Sequence, residues 1–309
     1  RWMLYLGTWL YWFMGRCFTE KPRWLSLRQM RSEVPILAES RFDGGIEYSD
    51  AYLHDNDARF VFNFIRSALN YGCIAANYVE SSGADFDTST STWHIQARDK
   101  ISARTFPIKA AALLNACGPY VDAHNALSTQ STEHRHVFSK GIHLIVDRII
   151  PLSKVLTFFA NDGRMFFAIP MGPKTCIGTT DTRVSSAVCR VEAEDRRFVL
   201  DNINERLKME APLEEDDIIA ERCGVRPLVV RGEVGEEIDW VQLSRKHVIE
   251  INDAQAHMSI FGGKLTDCLN VGEEICAHYQ RRLGKGLSYP KKRWYGEPAA
   301  AVREEYLHQ

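Results

Sequence analysis

The sequence has almost no net charge: 38 lysines and arginines stand against 40 aspartates and glutamates, a formal balance of −2. That balance supplies no global field to draw in a polyanion, so nucleic-acid binding is not expected, although local cationic sites stay open. The eight cysteines include no C-x-x-C pair and have no regular spacing. This argues against zinc ribbons and disulfide scaffolds, suits a reducing compartment, and reads most cysteines as small buried side chains. No apolar run reaches the roughly twenty residues needed to span a bilayer. No basic lead segment or small-residue cleavage site marks a signal peptide, and no repeat or low-complexity linker is present. What remains is 45% apolar and 25% charged, which reads as a soluble globular chain with one sizeable core or two smaller ones.

The chain opens on Arg1 and is read as a piece of a longer protein. The run from Trp2 to Met14 is apolar all round, which suits a buried or capped surface helix. Trp and Tyr at 2, 5, 9, 11 and 12, flanked by Arg1 and Arg16, also resemble an interfacial belt, so contact with a membrane surface is the second reading.

Further along, Asp55 or Asn56 suits the cap of a helix whose apolar residues Phe60, Val61, Phe64, Ile65, Ala68 and Leu69 recur at helical spacing up to Gly72. Residues 73–80 then read as a strand and 83–92 as a polar turn. Trp93, Ile95 and Ala97 alternate with polar neighbours, and Ile101, Ala103 and Thr105 repeat the pattern, predicting a small half-exposed antiparallel sheet. Residues 111–115 form a buried strand that runs into Gly118-Pro119, where glycine permits a tight turn and proline suits a first helical position. Short apolar strands follow at 142–146, 155–160, 165–169 and 175–178, with a hairpin turn at Asn161-Asp162-Gly163 and one helix at 192–209. A final helix places Leu265, Leu269, Ile275 and Tyr279 inward. The expected class is α/β with α+β character: a mixed domain built from 1–137 and 256–290, an antiparallel-sheet domain at 138–255, and the opening of a C-terminal region at 291–309.

The stretch with the most chemical content is Phe261-Gly262-Gly263-Lys264-Leu265-Thr266, which joins an apolar strand to that last helix. A helix start leaves backbone N–H groups without partners, and glycines let a ligand approach the main chain, so the motif favours a bound anion or electron-rich ring. Gly224-Val225-Arg226-Pro227-Leu228 places a second cation between apolar segments.

With Gly45-Ile46-Glu47-Tyr48-Ser49-Asp50, Asp57-Ala58-Arg59, Asn115-Ala116-Cys117-Gly118-Pro119, Ser139-Lys140-Gly141-Ile142-His143 and Ile177-Gly178-Thr179-Thr180-Asp181, these motifs fall in an order and spacing that resembles the FAD-dependent, aerobic-type glycerol-3-phosphate dehydrogenases over roughly residues 43–290. The resemblance implies part of an FAD/NAD(P)-binding flavoprotein fold, with FAD bound by 1–137 and 256–290 and substrate by 138–255. It implies oxidation of sn-glycerol 3-phosphate to dihydroxyacetone phosphate, with hydride passing to flavin N5 and electrons to quinone. It also implies a peripheral place on the cytoplasmic face of the cell membrane, with a homodimer among the assemblies it allows. The family's opening Rossmann strand, G-x-G-x-x-G turn, acidic ribose ligand and arginine-bearing loop have no counterpart here, so the chain alone is expected to bind FAD poorly and to be inactive by itself. Cys117 stands where threonine is common, Tyr120 where tryptophan is common, and Asp267-Cys268-Leu269 follows the glycine-lysine core.

The resemblance assigns Arg226 and Arg245 as phosphate clamps, for which planar guanidinium groups are suited. Lys264 would contact the C2 oxygen or the reduced flavin, with backbone of Gly263, Leu265 and Thr266 beside it. His143 would be a substrate ligand or base, and Lys264, Arg226 and His143 form the catalytic set. Val79, Ala116 and Gly118 match positions near adenine and pyrophosphate. Read without the resemblance, Arg226 is a structural arginine bonded to loop carbonyls, Arg245 part of a solvated cluster, and His143 and Val79 core residues. Thr179, Thr180 and Asp181 serve a turn. The His134-x-His136 pair lacks partners for a metal set, and no metal is assigned. A flavin-dependent amine or amino-acid oxidase and a non-catalytic remnant of the fold are the alternatives.

Overall fold

The computed structural model describes residues 2–38, 42–50, 57–232 and 246–284. In chain order the described elements are α1 (Trp2–Met14), β1 (Arg23–Ser26), α2 (Leu27–Glu33), β2 (Gly44–Glu47), α3 (Asp57–Leu69), β3 (Val79–Asp87), β4 (Thr92–Asp99), β5 (Thr105–Ala110) and β6 (Leu113–Asn115). They continue with α4 (Val121–Leu127), β7 (His134–Asp147), β8 (Leu156–Phe159), β9 (Met165–Met171), β10 (Lys174–Gly178), β11 (Thr182–Val184), α5 (Ala193–Arg206), β12 (Ala220–Arg231), β13 (Val248–Asn252), β14 (His257–Phe261) and α6 (Cys268–Leu283). The chain divides into two compact units, 1–50 with 137–227 and 51–136 with 228–309.

This division differs from the expected boundaries at two places. The first 50 residues belong with the antiparallel sheet because Leu25, Met30, Val34 and Leu37 are buried in its core. Residues 228–255 belong with the mixed unit, where β13 pairs with β14.

In the first unit β7 is the spine. Its even-numbered residues Ile142, Leu144 and Val146 are fully buried with Val199, Leu200 and Ile203 of α5, as period-two alternation requires of a strand with one core face. Its odd-numbered residues 139, 141 and 143 lie on the other face. β10, β9 and β8 extend the sheet as an antiparallel meander, with the expected hairpin at Asn161-Asp162-Gly163 between β8 and β9. β12 covers the opposite edge of β7. Helix α5 starts at Glu192, where Lys140 reaches Asp195 Oδ2 at 2.6 Å and Glu192 Oε2 at 3.2 Å.

Helix α1 forms as predicted, but none of its residues is buried. The burial expected from its all-round apolarity is not realised among the described residues. Its aromatics stack on one another and on Trp24, with Trp2 and Trp24 rings 5.6 Å apart.

In the second unit the sheet β3-β4-β5 is antiparallel, with Trp93, Ile95 and Ala97 buried along β4 as their alternation predicts. The strand expected at 73–80 is instead β3, which starts at Val79 and runs through the expected turn to Asp87, with a bulge between Ser81 and Ala84. Ile101 and Ala103 lie in the following turn rather than in a strand. A second sheet, β13-β14-β6, contains the parallel pair β14–β6. Along α3 and at the entry to α6 the apolar residues are less covered than expected: Val61, Ile65 and Leu269 are exposed, as is Leu265, which lies before α6 rather than in it. The cap proposed at Asp55 or Asn56 and the region 291–309 lie outside the described residues.

Removing one member of a buried ion pair leaves the other charge uncompensated, whereas replacing both by apolar groups is close to neutral. Lys140→Met is therefore expected to lower unfolding stability by about 3–5 kcal/mol, read from the urea midpoint, and Lys140→Met/Asp195→Leu to recover most of that loss.

Candidate active site

The site residues expected from the sequence fall into two groups, one in each unit. In the first unit, β10 and β11 form one interrupted path along β7: Gly178 pairs with His143 and Thr182 with Lys140. Three residues, Thr179, Thr180 and Asp181, thus oppose only two, Gly141 and Ile142. This is a β-bulge, a device that re-aims side chains beside functional sites. The bulge is pinned by Thr180 Oγ1, which accepts from Ile142 N at 3.1 Å, and by Ser139 Oγ donating to Asp181.

β12 runs antiparallel along the other edge of β7, with Ile219 N bonded to Ile145 O and Gly232 N to Glu133 O at its two ends. Arg226 of β12 therefore reaches across β7 to the bulge. Its Nη2 donates to Thr179 Oγ1 at 2.9 Å and its Nη1 to Thr180 O at 3.1 Å, with Asp181 Oδ1 3.7 Å away. The crossing is possible only because residue 141 is glycine: a Cβ there would lie 2.6 Å from the Arg226 Cζ. Arg226 does bond a loop carbonyl, as its structural reading required, and its side chain still keeps 28% exposure.

His143 stands two residues beyond Gly141 on the same face of β7, opposite the hydrophobic core. Its imidazole makes no hydrogen bond to any described residue. Burial first, then the positive charges of Arg226 and Arg222, hold its pKa below the usual histidine range. A neutral imidazole free to accept a proton sits beside a fixed cation.

In the second unit the parallel strands β6 and β14 end side by side, His257 opposite Leu113 and Ser259 opposite Asn115. Each passes into a glycine turn and then a helix. After β6, Asn115 organises the turn: its amide donates to Val121 O at 2.9 Å and to Asn125 Oδ1 at 2.7 Å, and its oxygen accepts from Cys117 N. Ser259 Oγ also donates to Asn125 Oδ1. Ala116 is exposed, and Gly118 is at φ +55 with open space where a Cβ would lie.

After β14, Gly262 and Gly263 both have left-handed φ, +63 and +91. A Cβ on Gly262 would be 2.5 Å from Val229 Cγ2 and 3.0 Å from Lys246 O, so a side chain is excluded on two counts. Lys264 is exposed immediately before a short 3-10 turn, Leu265–Asp267, that leads into α6. An open apolar depression of about 410 Å³ lies between Leu265 and the Ala58, Val61, Phe62 and Ile65 face of α3.

Two histidines at this turn were given no role at the glycine motif from the sequence, His136 having been weighed only as half of a metal pair. His136 Nε2 accepts the backbone N–H of Gly262 at 2.9 Å. His247 bridges two carboxylates, with Nδ1 2.5 Å from Asp267 Oδ2 and Nε2 3.0 Å from Glu274 Oε2, and these bonds raise its pKa. The His134-x-His136 spacing and the unusual Asp267 were visible, but their partners are remote in sequence. Val79 opens β3, on the sheet that does not contain β6 and β14. Arg245 lies outside the described residues.

Glycine turns and helix starts at the carboxyl ends of adjacent parallel strands form the nucleotide-binding crevice of open α/β sheets. The positive φ values and the open space at Gly118 fit the close main-chain approach that a pyrophosphate or flavin ring needs, so the residues present suit this part of an FAD site. The class is that of an FAD-binding flavoprotein. A family model described as FAD dependent oxidoreductase matches residues 9–248, and the chain belongs to that family.

Within it, the chain is similar to the aerobic glycerol-3-phosphate dehydrogenases of Staphylococcus saprophyticus, 30% identical over 279 residues, and Staphylococcus aureus, 29% identical over the same length. Each alignment covers 88% of this chain and 48% of the relative, so the chain spans about half the length of the curated relatives it matches. Among solved structures it is similar to the glycerol-3-phosphate dehydrogenase from Bacillus halodurans complexed with FAD, with a TM-score of 0.70, 28% identity, and coverage of 88% of this chain and 53% of that one. The glycine oxidase from Geobacillus kaustophilus shares the fold, with a TM-score of 0.59 at 18% identity, covering 94% of this chain and 70% of that one.

The two histidines His143 and His247 are expected to titrate on opposite sides of the ordinary value of about 6.5 in an imidazole NMR titration. Neutral His143 contributes stability that is present above that value and lost as pH falls through its depressed pKa. Charged His247 contributes stability present below it and lost as pH rises through its raised pKa. Titration in the reverse order would contradict both placements.

Proposed function

We propose that this chain carries the substrate-handling sheet and part of the FAD cradle of a flavoenzyme that oxidises sn-glycerol 3-phosphate to dihydroxyacetone phosphate. The observation that carries the reading is the Arg226 guanidinium, fixed by Thr179 and Thr180 across Gly141, with His143 on the same strand face. Bound FAD supplies the hydride acceptor. Arg226 holds the phosphate dianion with its partly exposed guanidinium, and Arg245 would add a second. His143 accepts the C2 hydroxyl proton as the carbonyl forms, because burial and the nearby arginine keep it unprotonated. Lys264, exposed at the start of α6, supplies positive charge where negative charge gathers on the substrate C2 oxygen or the reduced ring, beside the backbone of Gly263, Leu265 and Thr266. Ala116, Gly118 and Val79 belong to the nucleotide half of the reading.

Electron transfer to quinone, a peripheral place on the inner face of the cell membrane and assembly as a homodimer are part of the same proposal. The exposed aromatic surface of α1, with Trp2 at 72% exposure, supports the membrane contact. The chain by itself is read as inactive, because the dinucleotide motif is absent from its sequence.

The reading is tested by dye reduction with the full reading frame containing this chain, supplied with FAD and either glycerol 3-phosphate or glycine. Reduction with glycerol 3-phosphate, falling about 10- to 150-fold in kcat/KM for Arg226→Ala, is expected from the loss of hydrogen bonds to a charged group. Arg226→Lys should recover only part of it. Reduction by glycine alone would establish the amine-oxidase alternative, and no reduction by either would establish the non-catalytic one.

A further inference from the structure

The eight cysteines gave no reason from sequence to pair any two of them, yet Cys189 and Cys223, 34 residues apart, meet in the first unit with their Sγ atoms 3.1 Å apart. A disulfide requires about 2.05 Å, so the sulfurs need to close by roughly one ångström. Both thiols are free, Cys223 exposed and Cys189 partly so, which leaves them within reach of a small oxidant. Their surroundings hold them together. Cys189 lies in the connection from β11 to α5, next to Arg190, whose carbonyl oxygen accepts from buried Lys140 Nζ at 3.4 Å. Lys140 also grips Glu192 and Asp195 at the start of α5. Cys223 is on β12, the strand that flanks β7, three residues before Arg226 and on the opposite strand face by period-two alternation.

We infer that Cys189 and Cys223 form a reversible redox pair, which a hydroperoxide converts to a disulfide tying the β11–α5 connection to the strand that carries Arg226. Cys189 is the attacking sulfur. As a thiolate it takes the terminal oxygen of the hydroperoxide, releasing the alcohol or water and becoming a sulfenic acid. The Cys223 sulfur then displaces that oxygen as water and forms the S–S bond. The sum is two thiols and one hydroperoxide giving one disulfide, one alcohol and one water, with two electrons leaving the sulfurs. In this order of roles Cys223 acts second: partial burial and the adjoining Cys189 sulfur push its thiol up to about 11. Closing the bond would join the segment that follows the Thr179–Asp181 bulge to the strand whose arginine that bulge holds.

The test treats the chain with a slight excess of hydrogen peroxide, blocks remaining thiols with N-ethylmaleimide, and maps tryptic peptides by mass spectrometry. The expected result is the linked pair 184–190 with 223–231, a fall of two from eight free thiols, and full return with dithiothreitol. Cys189→Ser and Cys223→Ser should each abolish the linked peptide, and Cys223→Ser should accumulate a dimedone-reactive sulfenic acid at Cys189. Both positions are solvent-accessible, and unchanged circular dichroism of the variants verifies their fold. Separate sulfinic acids at the two positions with no linked peptide, or links to other cysteines at the same peroxide dose, would overturn the assignment.

Discussion

The constraint on which the first unit turns is that an arginine lies across a β-strand where a side chain would otherwise stand. The Arg226 guanidinium occupies the space above Gly141, and every surrounding feature serves that crossing. The bulge at Thr179–Thr180–Asp181 presents a hydroxyl and a carbonyl to receive it. The even-numbered face of β7 anchors the strand to α5 through Ile142, Leu144 and the Lys140–Asp195 pair, so the odd-numbered face is held at a fixed height. A guanidinium held by Thr179 and Thr180 and still partly exposed is oriented before any anion arrives, which reduces the ordering that binding must otherwise supply. Its charge also acts on His143, favouring the uncharged imidazole.

The second unit solves a different problem with a similar economy of side chains. Two parallel strands end together, and each turn that follows is shaped by main chain rather than by functional groups: Asn115 gathers the first, while His136 and the contacts of Val229 and Lys246 confine the second. The two carboxylates near the start of α6, Asp267 and Glu274, would repel an anion, and His247 between them offsets part of that charge. Such a backbone cradle is what a large cofactor with a planar ring and phosphates requires.

Much of this was legible in the sequence because it rests on local signals. Alternation in 93–97, the short apolar run at 142–146, the Asn-Asp-Gly hairpin and the Gly-Pro helix start each act over a few residues, and each appears in the structure. The motifs Ser-Lys-Gly-Ile-His and Ile-Gly-Thr-Thr-Asp were recognisable as strings, but that the glycine of one makes room for an arginine received by the threonines of the other is a fact of register between distant strands. The same holds for His247 with Asp267 and Glu274, and for Cys189 with Cys223. Apolar faces misled where no described element covers them, as on α1 and on Leu265 and Leu269. Strand β3 was placed too early because Gly83, read as a turn, sits in a bulge inside the strand.

The most direct measurement of the central claim is the affinity for glycerol 3-phosphate, by titration calorimetry, of the unchanged protein and of Gly141→Ala, a substitution that adds one methyl group and no charge. If the crossing over β7 is what presents the cation, the added Cβ displaces the guanidinium and affinity falls at least tenfold, while circular dichroism shows the sheet intact. Equal affinity in the two proteins would show that Arg226 does not hold the phosphate from this position.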